Sequence, residues 1–156
     1  MEELVASLKV LRWTLASCES VTGGDFASQV TDISGCSDVY AGGYIVYSND
    51  AKHRLTHVPT EILEEFGAVS EETVKRLAIW TKNALSSDIA IAFSGNAGPG
   101  ASSNQPVGRI YTAIAVNDDC FVYQDDFTGS RKQIKQQTIQ AGIDRIMGFI
   151  HKENMR

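Results

Sequence analysis

One short stretch, residues 17–24 (Ser-Cys-Glu-Ser-Val-Thr-Gly-Gly), constrains the fold of this chain more than any other. It lies between an apolar run, residues 11–16, and an amphipathic run, residues 26–33. This arrangement predicts a strand that turns abruptly into a helix. Such a turn presents the Ser20 hydroxyl at the end of a sheet. Its glycines let backbone N–H groups approach a ligand, and the helix N-terminus suits a phosphate or an oxyanion. In a simpler interpretation, Ser20 and Thr22 only cap the helix.

The composition narrows the classes of function. The chain has 156 residues, enough to bury a core, and we expect one domain over residues 1–156. Its net charge is -5, and its basic residues are scattered apart from a mild cluster at Arg131, Lys132 and Lys135, which argues against a nucleic-acid partner. No apolar run has the length of a membrane span, and the acidic start is unlike a signal peptide. We therefore expect a cytoplasmic protein with no membrane partner.

The cysteines and histidines do not form a recognisable metal or redox motif. Cys18, Cys36 and Cys120 are widely spaced, so reduced thiols are expected, and Cys18 is predicted to be a small buried apolar residue. His53 and His57 stand four apart and could face one way on a helix, but no third ligand is evident. The sequence therefore predicts no metal site.

The remaining pattern alternates helices and strands. Helices are predicted over residues 3–10, 24–31, 51–55, 59–67, from 70 onward, and 130–151. Strands are predicted over residues 13–18, 44–47, 88–93, 107–116 and 121–127, the second and third as buried strands and the last two as a hairpin. This order predicts a three-layer α/β/α sandwich with a mixed, mostly parallel sheet. Loops at strand ends are where such sheets usually bind ligands.

A second motif supplies a candidate base. Residues 47–52 place Tyr47 at the end of a strand and Lys52 about one turn into the next helix. A lysine in a desolvated cleft loses proton affinity and can act as a base, and a tyrosine beside it can relay a proton. With Ser20 these residues give a nucleophile, a relay and a base. The same pattern also fits a solvated lysine and a core tyrosine.

A third motif, the glycine- and serine-rich stretch 94–106, follows the predicted central strand. It lacks the Lys-Ser/Thr ending of a P-loop and the spacing of a dinucleotide-binding fingerprint. Its glycines still allow close backbone approach to a phosphate or ribose. The alternative is a flexible surface loop.

Together these motifs resemble the C-terminal domain family of the competence/damage-inducible protein CinA, which also exists alone as nicotinamide mononucleotide deamidase. The resemblance runs from about Leu4 to the last helix, and the absence of the N-terminal region of full-length CinA implies the stand-alone form. The matching motifs are Glu19-Ser20-x-Thr22-Gly23-Gly24, Tyr47-Ser48-Asn49-x-x-Lys52, Gly67-Ala68-Val69-Ser70, Gly95-x-Ala97-Gly98-Pro99-Gly100 and Phe127-x-Gly129-x-Arg131.

The resemblance implies an amidohydrolase of pyridine nucleotide recycling in NAD metabolism, which needs neither metal nor cofactor. It would hydrolyse the carboxamide of nicotinamide mononucleotide, or a related amide, to the acid and ammonia. Ser20 would be the nucleophile, Lys52 the general base and Tyr47 its partner. Backbone N–H groups from Thr22 through Gly23 to Gly24 would hold the oxyanion.

The resemblance also implies a substrate-binding loop. Separately, we expect a homo-oligomer. Ribose or phosphate contacts would come from Gly95, Asn96, Ala97 and Gly98, and we infer a further contact from Arg131. This loop departs from the family pattern, because Asn96 stands where an apolar residue is usual, Ala101 follows Gly100, and Gln105 stands where lysine is usual. These departures keep a second hypothesis open, a ligand- or partner-binding domain without activity. A structural domain with no ligand is least favoured, since it leaves the glycine-rich strand ends unexplained.

Overall fold

A five-stranded mixed sheet forms the centre of the protein, with strand order β2-β1-β3-β4-β5. The structure is a computed structural model, and it describes residues 1–100 and 104–156. The strands are β1 Leu15–Glu19, β2 Tyr40–Ile45, β3 Ile89–Gly95, β4 Arg109–Val116 and β5 Asp119–Asp126. The helices are α1 Glu2–Leu11, α2 Asp25–Thr31, α3 Asn49–Thr56, α4 Thr60–Phe66, α5 Glu71–Ala84 and α6 Arg131–Asn154, with a short 3₁₀ turn at Cys36–Asp38.

The direction of the strands confirms the predicted α/β fold with a mixed, mostly parallel sheet. β1 pairs in parallel with both β2 and β3, whereas β4 runs antiparallel to β3 and to β5. β4 is therefore the strand that runs against the other four. The predicted hairpin is the β4–β5 pair. A tight turn at Asn117, a residue with a left-handed φ of 53°, joins its two strands.

Helices cover both faces of the sheet, and the side chains of β3 show why. Ile89, Ile91 and Phe93 belong to a large cluster with α1, α2 and α6. Ala92, on the opposite face, belongs to a second cluster with α4 and α5. Large aliphatic residues on one face and small ones on the other let α5 pack closely against the strand. The central strand is buried on both faces, as its apolar run predicts.

β2 differs from the prediction. The sequence predicted a buried strand over residues 44–47, but the strand is Tyr40–Ile45 and forms an edge of the sheet. Ile45 is 55% exposed, and Tyr47 lies beyond the strand. Aromatic and β-branched residues indicate strand propensity, but they do not reveal whether a strand has one neighbour or two. Gly43 is required within β2, because a Cβ there would lie 2.5 Å from the Ser17 carbonyl oxygen.

Other differences are at element boundaries. Ser94 and Gly95 belong to β3 rather than to the following loop, because they pair with Tyr111 and Ile110 of β4. Part of that predicted loop, including Ala101, lies outside the described residues. The serines predicted to begin α3, α5 and α6 all cap those helices through side-chain hydrogen bonds.

The cysteines and histidines have clear environments. Cys18 is fully buried, as predicted, and burial raises the pKa of its thiol to about 12. The His53 ring contacts the carbonyl of Val58 at 2.8 Å, while the His57 ring packs against Trp80 with the ring centroids 4.4 Å apart. In residues 1–100 and 104–156, no three His, Cys, Asp or Glu side chains are grouped as a metal site requires. Over the same residues, no helix has the length and apolarity needed to span a membrane.

The contact of α6 with β3 gives a stability prediction. A Cβ added at Gly142 would lie 2.8 Å from side-chain atoms of Ile91 and Phe93, whereas one added at Gly148 meets nothing within 4 Å. We expect Gly142→Ala to lower the free energy of unfolding by about 1–3 kcal/mol through overpacking. Gly148→Ala, the matched control, should raise it by up to about 1 kcal/mol through helix propensity. Urea unfolding of both variants tests this, and equal stabilisation by both would contradict the packing.

Candidate active site

The centre of the site is a contact between Ser20 and Lys52. Ser20 follows the last residue of β1, and its N–H donates to the carbonyl of Phe93 in β3, which fixes the turn at the carboxyl end of the parallel strands. Lys52 comes from the first turns of α3, and its Nζ donates to Ser20 Oγ at 3.0 Å and to the Val46 carbonyl at 2.8 Å. Both side chains are buried, with Lys52 only 1% exposed. The structure therefore brings the predicted nucleophile and base into direct contact.

Burial changes the protonation of Lys52. Desolvation lowers the pKa of its ammonium from 10.5 to about 8, and the nearby Cys18 opposes that shift. The two hydrogen-bond partners of Nζ are a hydroxyl and a carbonyl, and neither is a carboxylate that would hold the charged form. A fraction of the amine is thus neutral near pH 8, and a neutral amine 3.0 Å from a hydroxyl can accept its proton.

A cavity of about 300 Å³ opens over this pair, and we refer to it as the catalytic cavity. Besides Ser20 and Lys52, its walls include five predicted site residues, namely Tyr47, Gly95, Asn96, Ala97, and Arg131 from the start of α6. Ser94 lines it too and is anchored by donating from its hydroxyl to the Ala68 carbonyl at 2.6 Å. The volume falls at the lower end of the range for small-molecule sites.

Tyr47 lies in the catalytic cavity, but its hydroxyl does not contact Lys52. It accepts a hydrogen bond from Arg131 Nη2 at 2.9 Å, while Arg131 Nη1 donates to the Gly98 carbonyl at 2.7 Å. Tyr47 is 63% exposed, because it follows the end of an edge strand. The predicted direct Tyr–Lys pair is absent among the described residues, and in its place a Tyr47–Arg131–Gly98 bridge crosses the mouth of the cavity.

The start of α2 is occupied by the protein itself, which corrects the predicted anion site there. The carboxylate of Glu19 accepts from the N–H of Phe26 at 2.9 Å and from the N–H of Ala27 at 3.0 Å. Glu19 is 1% exposed. A buried carboxylate at this position satisfies the donors that a phosphate would use. The sequence reasoning missed this role, although Glu19 stands in the motif beside Ser20.

The turn between Ser20 and α2 contributes less to the cavity than predicted. The Gly23 N–H donates to the Ser20 carbonyl, and the residues Thr22, Gly23 and Gly24 are not part of the cavity wall. Gly23 and Gly24 instead supply the positive φ angles, 60° and 98°, that reverse the chain before the helix. Val21 does line the cavity, and within the described parts of the chain its N–H has no hydrogen-bond acceptor.

Asn96 braces the glycine-rich loop from inside. Its side-chain oxygen accepts from the Gly98 N–H and its side-chain nitrogen donates to the Gln105 carbonyl, both at 3.1 Å. It is 3% exposed. The Gln105 side chain in turn accepts from Arg109, which forms an ion pair with Asp126. Two of the three departures from the family pattern, Asn96 and Gln105, therefore meet in one network that holds the loop together.

Comparison with known proteins gives a consistent result. A family model described as the CinA C-terminal domain matches residues 1–150. A CinA-like protein of Petrotoga mobilis is 40% identical over 140 residues, which is 89% of this chain and 35% of that protein. A protein of Bacillus cytotoxicus, named provisionally as competence-damage inducible, is 45% identical over 87% of this chain and 33% of its own length. The chain spans about a third of the length of these curated relatives.

Solved structures share the fold. A CinA superfamily protein of Klebsiella pneumoniae superposes with a TM-score of 0.93 at 26% identity, covering 97% of this chain and 95% of that one. A competence/damage inducible protein of Agrobacterium tumefaciens gives a TM-score of 0.89 at 30% identity, covering 94% and 93%. The similarity extends along nearly the whole of both chains in each case.

The buried amine predicts a pH-dependent stability. Because the folded-state pKa of Lys52 is about 8 and its ordinary value is 10.5, the unfolded chain binds more protons between these values, and stability rises with pH there. We expect the free energy of unfolding of the parent chain, relative to that of Lys52→Met, to rise by roughly 2 kcal/mol from pH 7 to pH 10. Denaturant unfolding at several pH values measures this, and a pH-independent difference would contradict the lowered pKa.

Proposed function

The chain belongs to the CinA C-terminal domain family, and on that premise we propose that it is a serine amidohydrolase that converts the carboxamide of nicotinamide mononucleotide to the acid and ammonia. The observation that carries the proposal is the buried hydrogen bond of 3.0 Å between Lys52 Nζ and Ser20 Oγ. A lysine kept 1% exposed without a carboxylate partner is costly for stability. That cost is explained if the amine serves as a base.

The first half of the reaction forms an acyl-enzyme. Neutral Lys52 takes the proton of the Ser20 hydroxyl while Oγ attacks the carboxamide carbon. In this proposal the tetrahedral oxyanion is held by the backbone N–H of Val21, the residue of the turn after Ser20 that lines the cavity. The Lys52 ammonium then returns its proton to the departing nitrogen, the C–N bond breaks, and ammonia leaves.

The second half regenerates the serine. A water molecule attacks the ester carbon, Lys52 accepts a proton from that water, and the proton passes to Ser20 Oγ as the ester bond breaks. The acid is released and both residues return to their starting state. The proton transfers use the single Nζ atom, and no step calls on a metal or a cofactor.

Tyr47 is assigned a role at the leaving group. Its hydroxyl accepts from Arg131 through an oxygen lone pair, so the phenol proton itself stays available to the cavity. It can donate a hydrogen bond to the departing ammonia, directly or through one water, while the transferred proton comes from Lys52. Gly95, Asn96 and Ala97 form the wall beside it, and they contact the ring or ribose of the substrate in this proposal. A cytoplasmic location and a homo-oligomer remain predictions.

The nucleophile and the base are tested by ammonia release from nicotinamide mononucleotide. We expect Ser20→Ala and Lys52→Met each to lower kcat by at least about 10³-fold, since each removes a group that acts in the transition state. Ser28→Ala, an exposed residue on α2, is the matched control and should keep the parent rate. Full turnover in the Ser20→Ala variant, with native circular dichroism, would disprove the assignment. Ligand binding by the parent chain without ammonia release would favour the non-enzymatic hypothesis.

The state of Lys52 predicts the pH profile of the reaction. Because the neutral amine is the base and its pKa is about 8, kcat/KM should rise with pH and level off above about pH 8. The pH at which kcat/KM rises reports the ionisation of a group in the free enzyme. The rise should therefore occur at the same pH with a dephosphorylated substrate. A rate that is flat from pH 6 to pH 9 would remove Lys52 as the base.

A further inference from the structure

Two further cavities adjoin the catalytic cavity, and their walls carry opposite charges. The first, which we call the basic shelf, is lined by Asp25, Arg131, Lys132, Lys135 and Gln136, and it shares Arg131 with the catalytic cavity. Three of its side chains are cationic and one is acidic. In a chain of net charge -5, a positive surface beside the active site is a local exception that calls for a physical role.

The second cavity, the acidic pocket, adjoins a different part of the wall of the catalytic cavity. It shares Asn49, Ala68 and Val69 with the catalytic cavity, and its wall carries Glu64 and Glu65 at the end of α4. A substrate that fills the catalytic cavity can therefore extend beyond it either over the positive basic shelf or into the negative acidic pocket. An anionic tail is attracted to the first and repelled by the second.

We propose that Lys132 and Lys135 on the basic shelf bind the phosphate of the substrate, so that the protein selects phosphorylated amides over their dephosphorylated forms. This inference rests on the proposed function and adds the group that determines its specificity. The motifs shared with the family do not include either lysine, and the carboxamide would still sit over Ser20 and Lys52.

The lysines are available to bind an anion. Lys132 and Lys135 are three apart on α6 and lie on one side of the helix, with Arg131 four residues before Lys135. Neither lysine forms an ion pair within residues 1–100 and 104–156, whereas Lys9 pairs with Asp38. Such unpaired ammonium groups can give charge-assisted hydrogen bonds to phosphate oxygens.

A capping box occupies two of the backbone N–H groups at the start of α6. Ser130 accepts from the Gln133 N–H, and the Gln133 side chain accepts from the Ser130 N–H, so a complete capping box is present. Asp25 is the acidic group that faces the shelf, and it partly offsets the three cations. Without the two lysine charges, Arg131 and Asp25 leave the shelf with no net charge, so removal of these two charges should be sufficient to weaken phosphate binding.

The test compares two substrates, nicotinamide mononucleotide and nicotinamide riboside, which differ by the phosphate. The variant is Lys132→Gln/Lys135→Gln. The matched control is Lys75→Gln/Lys82→Gln, which changes the net charge equally beside the β4–β5 turn, near Asn117 and far from the carboxyl ends of β1 and β3. We expect the KM for the mononucleotide to rise about tenfold with kcat unchanged, and to rise less at high ionic strength. The kinetics of the riboside should not change in either variant.

A binding measurement separates the two proposals. In a Ser20→Ala background, calorimetry should show the same loss of affinity for the mononucleotide and none for the riboside. Three outcomes would overturn the proposed phosphate site without affecting the proposed amidohydrolase activity. They are an equal loss of affinity for both substrates, no loss for either, and the same loss in the control variant. Phosphate-dependent binding that needs both lysines, in a parent chain that releases no ammonia, would support the shelf and overturn the proposed function.

Discussion

The burial of Lys52 is the constraint on which the site depends. A charged amine is costly in an apolar environment, so the surrounding structure must hold it against a tendency to move into water. Val46 supplies a carbonyl acceptor directly after β2, and Ser48 caps α3 so that the lysine projects from its first turns. Thr56, one turn later, donates its hydroxyl to the Lys52 carbonyl. The β2–α3 connection therefore holds the Lys52 amine in one position.

The turn that carries Ser20 is held in a different way. Glu19 ends β1 and folds its carboxylate back onto the first N–H groups of α2, while the Ser20 N–H joins β3. The serine is thus fixed between a strand and a helix that are tied together by a buried charge. Such an arrangement limits the movement of Ser20 Oγ relative to Lys52 Nζ. The proposed proton transfer requires this restriction, because the two atoms must stay about 3.0 Å apart. It also means that the helix end stabilises the turn and does not bind the substrate.

The mouth of the catalytic cavity joins elements that are far apart in the sequence. Arg131 links the glycine-rich loop after β3 to Tyr47 after β2, and Asn96 closes that loop upon itself. The polar residue at position 96 fits this role, since its amide satisfies backbone groups that an apolar side chain would leave to other partners. The departure from the family pattern is explained by support of the loop, and it does not by itself weaken the catalytic pair.

The sequence by itself determined the order of elements, the serine caps and the buried central strand, and it singled out the two residues that we propose as nucleophile and base. Each depends on local pattern or on a short motif, and hydrophobic periodicity and capping chemistry are local properties. Only the tertiary structure decided that Tyr47 meets Arg131 and not Lys52, that Glu19 fills the start of α2, and that β2 is an edge strand. These outcomes depend on which distant groups compete for one hydrogen-bond donor or one face of the sheet. That competition is settled by packing in three dimensions, which no local pattern encodes.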